Sequence, residues 1–176
     1  MEVRHIAVPF MVAASTVIAS LTIGAQDKSM VRVPEGLGFS DFKGYENWQT
    51  IAPSQTEEGI KSILGNPVMM KAYADGFPVN GQTVPDGAMM TKIDWVPKVN
   101  TESPYFVKIP GTLSSVSFML KDSKKFGNTG GWAWAQFKYD AASRSFKPEG
   151  TGTACGFACH TRVKTSDYVF TRYASR

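Results

Sequence analysis

Three observations predict a mainly β (α+β) fold built as an antiparallel sheet with a few short helices. Apolar residues recur with period two from Ala88 onward, turn residues separate the alternating runs, and helical patterns are short and confined to the flanks. With 176 residues the chain is long enough for one domain with its own core and too short for two comfortable ones. No internal repeat is visible.

Residues 1–25 begin with Glu2, Arg4 and His5, continue through an apolar run over 6–23, and end at the small pair Gly24-Ala25. That order reads as a secretory signal peptide. The bulky Ile23 near the expected cut and the length of the run keep an uncleaved N-terminal membrane anchor as the alternative. Both outcomes place the domain outside the cytoplasm, with the periplasm as the expected location. Residues 26–38 are polar and carry Pro34, Gly36 and Gly38, which predicts a flexible tether, so the domain is expected over 39–176.

Within the domain, Ser40 precedes a stretch ending at Trp48 that fits a serine-capped helix with Phe42, Tyr45 and Trp48 facing inward. Residues 60–64 read as a strand. Asn66-Pro67 is a helix start, since asparagine caps and proline presets the first turn, and Gly76 is its stop. Pro85-Asp86-Gly87 then turns the chain into strands expected over 89–96, 114–121 and 132–139. In the second, Val116, Phe118 and Leu120 share one face while Ser115 and Ser117 share the other, the pattern of a sheet with one buried face. In the third, Trp132 and Trp134 lie opposite Ala133, Ala135, Phe137 and Tyr139. Glycines and an asparagine over 127–131 form the intervening turn. A short helix is expected over 154–165, and 167–171 reads as extended or strand-like.

Formal net charge is +4, and the basic residues are scattered with no block of five like charges and no basic stripe interleaved with aromatics, which argues against nucleic-acid binding.

Most of the chemistry sits in Cys155-Gly156-Phe157-Ala158-Cys159-His160, which holds both cysteines of the chain and one of its two histidines. A c-type haem is fixed by thioether bonds from two cysteines, with the histidine after the second one meeting the iron. The spacing here is C-x-x-x-C-H, one residue longer than the usual C-x-x-C-H. The other histidine, His5, lies in the segment expected to be removed, so two histidines of one mature chain do not ligate one iron. His160 is then the metal ligand, and the sixth position is open or taken by methionine, lysine, water or substrate. Trp95, Phe118, Trp132, Trp134 and Phe77 are available as pocket walls, each of them also fitting an ordinary core role.

Other readings of the same residues stand beside this one. An oxidising compartment favours a Cys155–Cys159 disulfide in a non-catalytic domain without haem. Two thiols with an adjacent histidine also suit a soft ion such as Cu(I) or a thiol-redox role.

Tyr45-Glu46-Asn47-Trp48, Leu64-Gly65-Asn66, Pro85-Asp86-Gly87 followed by Lys92 and Trp95, the run from Phe118 to Ser123, Gly130-Gly131-Trp132, and the cysteine motif followed by Asp167-Tyr168-Val169-Phe170-Thr171 together resemble the cytochrome P-460 family, which also includes the beta-type cytochromes c-prime. The resemblance implies an exported, sheet-rich haem c protein, commonly a homodimer, with a five-coordinate iron and an external electron acceptor. Its P-460 members oxidise hydroxylamine, which with nitric oxide leads to nitrous oxide, and so act as haem-dependent oxidoreductases. The c-prime relatives bind diatomic gases in an apolar pocket.

By position, Lys92 corresponds to the lysine that P-460 members link to the haem, so the resemblance makes Cys155, Cys159 and Lys92 the cofactor-binding set. Read from the residues alone, Lys92 shares a strand face with Met90 and Asp94 and would keep a solvated head over an apolar stem. The extra residue in the motif is a departure from the family. A bulged loop is expected to absorb it, and attachment through Cys159 alone is the intermediate case. Glu46, Asp94 and Asp122 are candidates for handling protons by charge only.

Overall fold

The computed structural model describes residues 26–34, 36–79, 81–150 and 152–175. The expected signal segment lies outside the described residues. Six strands follow one another as an antiparallel meander: β1 (Gln49–Gln55), β2 (Ile60–Gly65), β3 (Met89–Val99), β4 (Lys108–Lys121), β5 (Trp132–Asp140) and β6 (Ser145–Glu149), in the spatial order β1 to β6. Two α-helices, α1 (Pro67–Ala74) and α2 (Thr153–His160), fill the connection after β2 and the stretch after β6.

The sheet is covered on both faces, where the alternation in 114–121 had suggested one. Met90, Met119, Trp132 and Trp134 point to the side of α1, Phe77 and the segment around Val169. Val116, Phe118, Ala133, Ala135 and Phe137 point to the side of residues 31–45. The two-residue period places the tryptophans and the alanines on opposite faces of β5 as their spacing requires. On the second face the rings of Phe42 and Phe118 stack with centroids 4.2 Å apart, and Phe39 meets Phe118, Phe137 and Phe146.

That second face explains why 26–38 is not a free tether. Val31, Val33 and Leu37 are buried in it, and Arg32 bridges to Gly38. Three apolar side chains among the prolines and glycines give this stretch something to bury. The expected single helix from Ser40 to Trp48 is instead two one-turn 3-10 helices, Phe39–Phe42 and Tyr45–Asn47, because Gly44 between them has φ of +83° and breaks the helical path. Their inward residues Phe42 and Tyr45 are buried as expected.

Strand lengths differ most in β3 and β4, which run on past the sheet. β2 stops pairing at Ile60 opposite Trp95, and β5 stops at Lys138 opposite Ser115. Beyond those points β3 and β4 pair only with each other, through Pro97 opposite Pro110, Lys98 opposite Ile109 and Val99 opposite Lys108. Residues 167–171 join no strand: Asp167 and Tyr168 have φ of +47° and +63°, which turns the chain sharply.

α1 starts where the sequence places it. Asn66 Oδ1 accepts from the N–H of Met69 at 3.0 Å and of Met89 at 3.1 Å, while its Nδ2 donates to the Gly87 carbonyl at 2.8 Å. The cap thus fastens the helix to the turn that begins β3. A second fastening is buried: Lys121 Nζ lies 2.8 Å from Asp167 Oδ1, with side-chain exposures of 5% and 4%.

Asn66→Ala is expected to cost about 2 kcal/mol, the upper part of the range for losing a cap, because two N–H groups and a carbonyl lose their partner together. Urea unfolding reads this as a lower midpoint at unchanged slope. Lys121→Met leaves a buried carboxylate unpaired and is expected to cost about 3–5 kcal/mol. The double variant Lys121→Met/Asp167→Asn should recover a measurable part of that loss; full additivity of the two single changes in the same unfolding assay would show that the pair is not coupled.

Candidate functional site

Helix α2 rests on β5 through a glycine. A Cβ at Gly156 would come within 2.2 Å of Trp134 Cγ, so the absence of a side chain is what lets the helix sit against the indole. The Trp134 backbone N–H also donates to Thr153 Oγ1 at 3.3 Å. This seating places a cavity of about 580 Å³ between α2, the sheet and the segment from Val169 to Thr171. The size falls within the range of cofactor and small-molecule pockets.

Cys155, Cys159 and His160 all border the cavity. The two cysteines are four residues apart within one continuous α-helix, so they project from the same face one turn above each other. The extra residue of the motif is therefore absorbed by helical geometry, and the expected bulge does not form. Both thiols are free and exposed. Among the described residues no three His, Cys, Asp or Glu side chains converge as a metal-binding group.

His160 ends α2. Its Nδ1 lies 2.6 Å from the Tyr168 carbonyl oxygen, which can only accept, so Nδ1 carries the proton and donates. Nε2 is left with its lone pair free. Burial pushes the His160 pKa down, the bond to Tyr168 opposes this, and the nearby Lys92 charge lowers it further, so the neutral ring is favoured. Trp134 and Phe170 flank the imidazole, with ring centroids at 5.3 Å and 4.9 Å.

Lys92 is not a solvated surface lysine. It stands on the sheet wall of the same cavity, and burial holds its pKa below the usual ammonium value despite the attraction of Asp94. The register puts Lys92 in a row that crosses the sheet: Ile63 pairs Lys92, Lys92 pairs Ser117, Ser117 pairs Gln136, and Gln136 pairs Glu149. All five residues border the cavity. Gln136 Nε2 donates to Glu149 Oε2 at 2.7 Å.

Of the five aromatics available as walls, Trp134 serves. Phe118 touches the cavity but turns its ring to the opposite face, and Trp95, Trp132 and Phe77 lie outside it. The three carboxylates singled out by charge are elsewhere: Glu46 pairs with Lys28, Asp94 with Lys61 at 3.7 Å, and Asp122 accepts from the Lys125 N–H. Glu149 is the acidic residue at the cavity. Nothing in the sequence signals it, because β6 is a short edge strand with a proline and no clear alternation.

The residues fit a haem on grounds internal to the structure. A free imidazole Nε2, two thiols on one helix face and largely apolar walls surround the space. Ser117 Oγ and Trp134 Nε1, on cavity-lining side chains, are shielded from solvent and have no hydrogen-bond partner. Buried polar atoms left unpaired mark a place where water or a ligand belongs.

No curated protein matches the chain. The Cytochrome P460 family model matches residues 42–171, a span that contains every strand, both α-helices, Lys92 and the cysteine motif. The chain belongs to the Cytochrome P460 family, a membership that implies haem binding.

Proposed function

We propose that the protein is an exported haem c protein that binds or oxidises small nitrogen species, hydroxylamine and nitric oxide, and passes electrons to an external acceptor. The observation that carries this reading is the convergence of Cys155, Cys159, Lys92 and a His160 with its Nε2 free on one cavity. When bound, a haem held by one protein ligand supplies an open coordination position and one-electron redox capacity.

The chain's own residues have distinct tasks in that scheme. Cys155 and Cys159 would hold the haem through thioether bonds and His160 Nε2 would ligate its iron. The Tyr168 carbonyl fixes the imidazole's tautomer and orientation, the usual task of the group that receives a ligating histidine's other N–H. Lys92, whose pKa burial lowers, borders the same cavity and would be the residue for a covalent link to the macrocycle. One hydroxylamine and one nitric oxide give one nitrous oxide and one water, leaving one proton and one electron. Glu149, exposed and hydrogen-bonded by Gln136, is placed to take that proton to solvent.

Protein purified from a host with haem-attachment machinery should show a c-type pyridine haemochrome, and His160→Ala should abolish the normal haem spectrum. An unchanged spectrum in that variant would remove His160 as the ligand. Intact mass is expected to show haem retained after denaturation, with Cys155→Ala and Cys159→Ala each dropping to one thioether. Peptide mapping should recover Lys92 joined to porphyrin; finding it unmodified would place the protein with the gas-binding members. Glu149→Gln is expected to slow hydroxylamine oxidation by about 100-fold with the haem spectrum intact.

A further inference from the structure

The sheet wall of the cavity is divided into two rows. Met90, Met119 and Trp134 pair across the strands as an apolar row, while Lys92, Ser117, Gln136 and Glu149 pair as a polar one. Every polar side chain but one has a task already. Lys92 belongs to the cofactor-binding set, and Gln136 is held by its bond to Glu149 at 2.7 Å. Ser117 Oγ is shielded from solvent and has no hydrogen-bond partner among the described residues.

Residues directly opposite each other on one sheet face have Cβ atoms about 5 Å apart, so a serine standing between a lysine and a glutamine leaves a recess in the wall. At its floor is an unsatisfied hydroxyl. A buried polar group without a partner costs free energy that an alanine or valine at the same strand position would avoid. Diagonally across from Ser117 on the same face, Trp134 Nε1 is unpaired as well, and an indole N–H can only donate. Two orphaned donors at neighbouring positions call for a ligand that accepts.

We propose, building on the haem function above, that Ser117 is the residue that recognises the oxygen of an N–O ligand and so sets the preference for hydroxylamine over diatomic gases. A serine hydroxyl both donates and accepts, and the hydroxyl of hydroxylamine does the same. Carbon monoxide has no hydrogen to give and is a poor acceptor. A site built to hydrogen-bond a ligand's hydroxyl discriminates against analogues that lack one, because its own polar group is then left unpaired. Met90 and Met119, the neighbours in the apolar row, offer no competing polar group.

The haem-loaded parent and Ser117→Ala are titrated with hydroxylamine in the ferric form without oxidant, and with carbon monoxide in the ferrous form, by the shift of the Soret band. Ser117→Ala is expected to raise the hydroxylamine dissociation constant by about 10-fold, the loss of one hydrogen bond, and to leave that of carbon monoxide within about twofold. Haem content and melting temperature should match the parent, since the change removes one oxygen that bonds nothing in the protein. Equal hydroxylamine affinity in the two proteins overturns the proposal. So does a loss shared by both ligands, which would mark a change in pocket shape only. A parent that carries no haem removes the proposed function and this role with it, whereas a haem-loaded parent with a silent Ser117→Ala removes the role of Ser117 alone.

Discussion

The cavity depends on a buried ion pair that does not touch it. Lys121, the last residue of β4, reaches Asp167 and the Gly130 carbonyl and lies over the Trp132 ring, while the other carboxylate oxygen of Asp167 accepts from the Val84 N–H at 2.7 Å. Four elements distant in sequence therefore meet at one charged contact. A buried charge without its partner costs several kcal/mol, so the loop carrying Asp167 has a strong reason to sit in one place. The next residue is Tyr168, whose carbonyl orients His160. Histidine tautomer and direction are thus set from the sheet, through a salt bridge and one peptide unit.

Packing reinforces that constraint at two glycines. A Cβ on Gly130 would come within 2.1 Å of the Tyr168 ring, and one on Gly156 within 2.2 Å of Trp134. Both contacts press the histidine-bearing region onto β5 more closely than any residue with a side chain allows. Gly130 also has φ of +70°, which an L side chain rarely adopts, so the turn before β5 and the Tyr168 contact call for glycine independently. The result is a rigid frame around α2, built from residues that carry no chemistry themselves. Ligand sites hold their geometry in this way, with the supporting contacts locking the rotamers of the groups that bind.

The sequence was most legible where one local rule decided the outcome. Period-two alternation located β3, β4 and β5 and separated the tryptophans from the alanines; Asn66-Pro67 located α1; the cysteine motif located α2. It was least legible where burial comes from distant partners. Val31, Val33 and Leu37 read as a tether because their cover, the phenylalanine face of the sheet, is supplied by strands more than seventy residues away. β1 and β6 are edge strands with prolines and mostly exposed side chains, so neither period nor composition marks them. Glu149 became part of the site only through register, since its place opposite Gln136 depends on how β5 and β6 align.

The same reasoning explains how a longer motif and a lysine far off in sequence serve one cavity. A spacing of three residues between the cysteines would be irregular in an extended loop, but in an α-helix it is one turn, and α2 is continuous through both sulfurs and the histidine. The helix therefore presents both thiols from one face and ends with the imidazole, so the insertion keeps the three groups at one cavity. Lys92 is brought opposite them by sheet register alone, with Ile63 on one side and Ser117 on the other replacing water around its stem. Desolvation then lowers its pKa, so that lowering arises from the strands beside it and not from its own sequence neighbours.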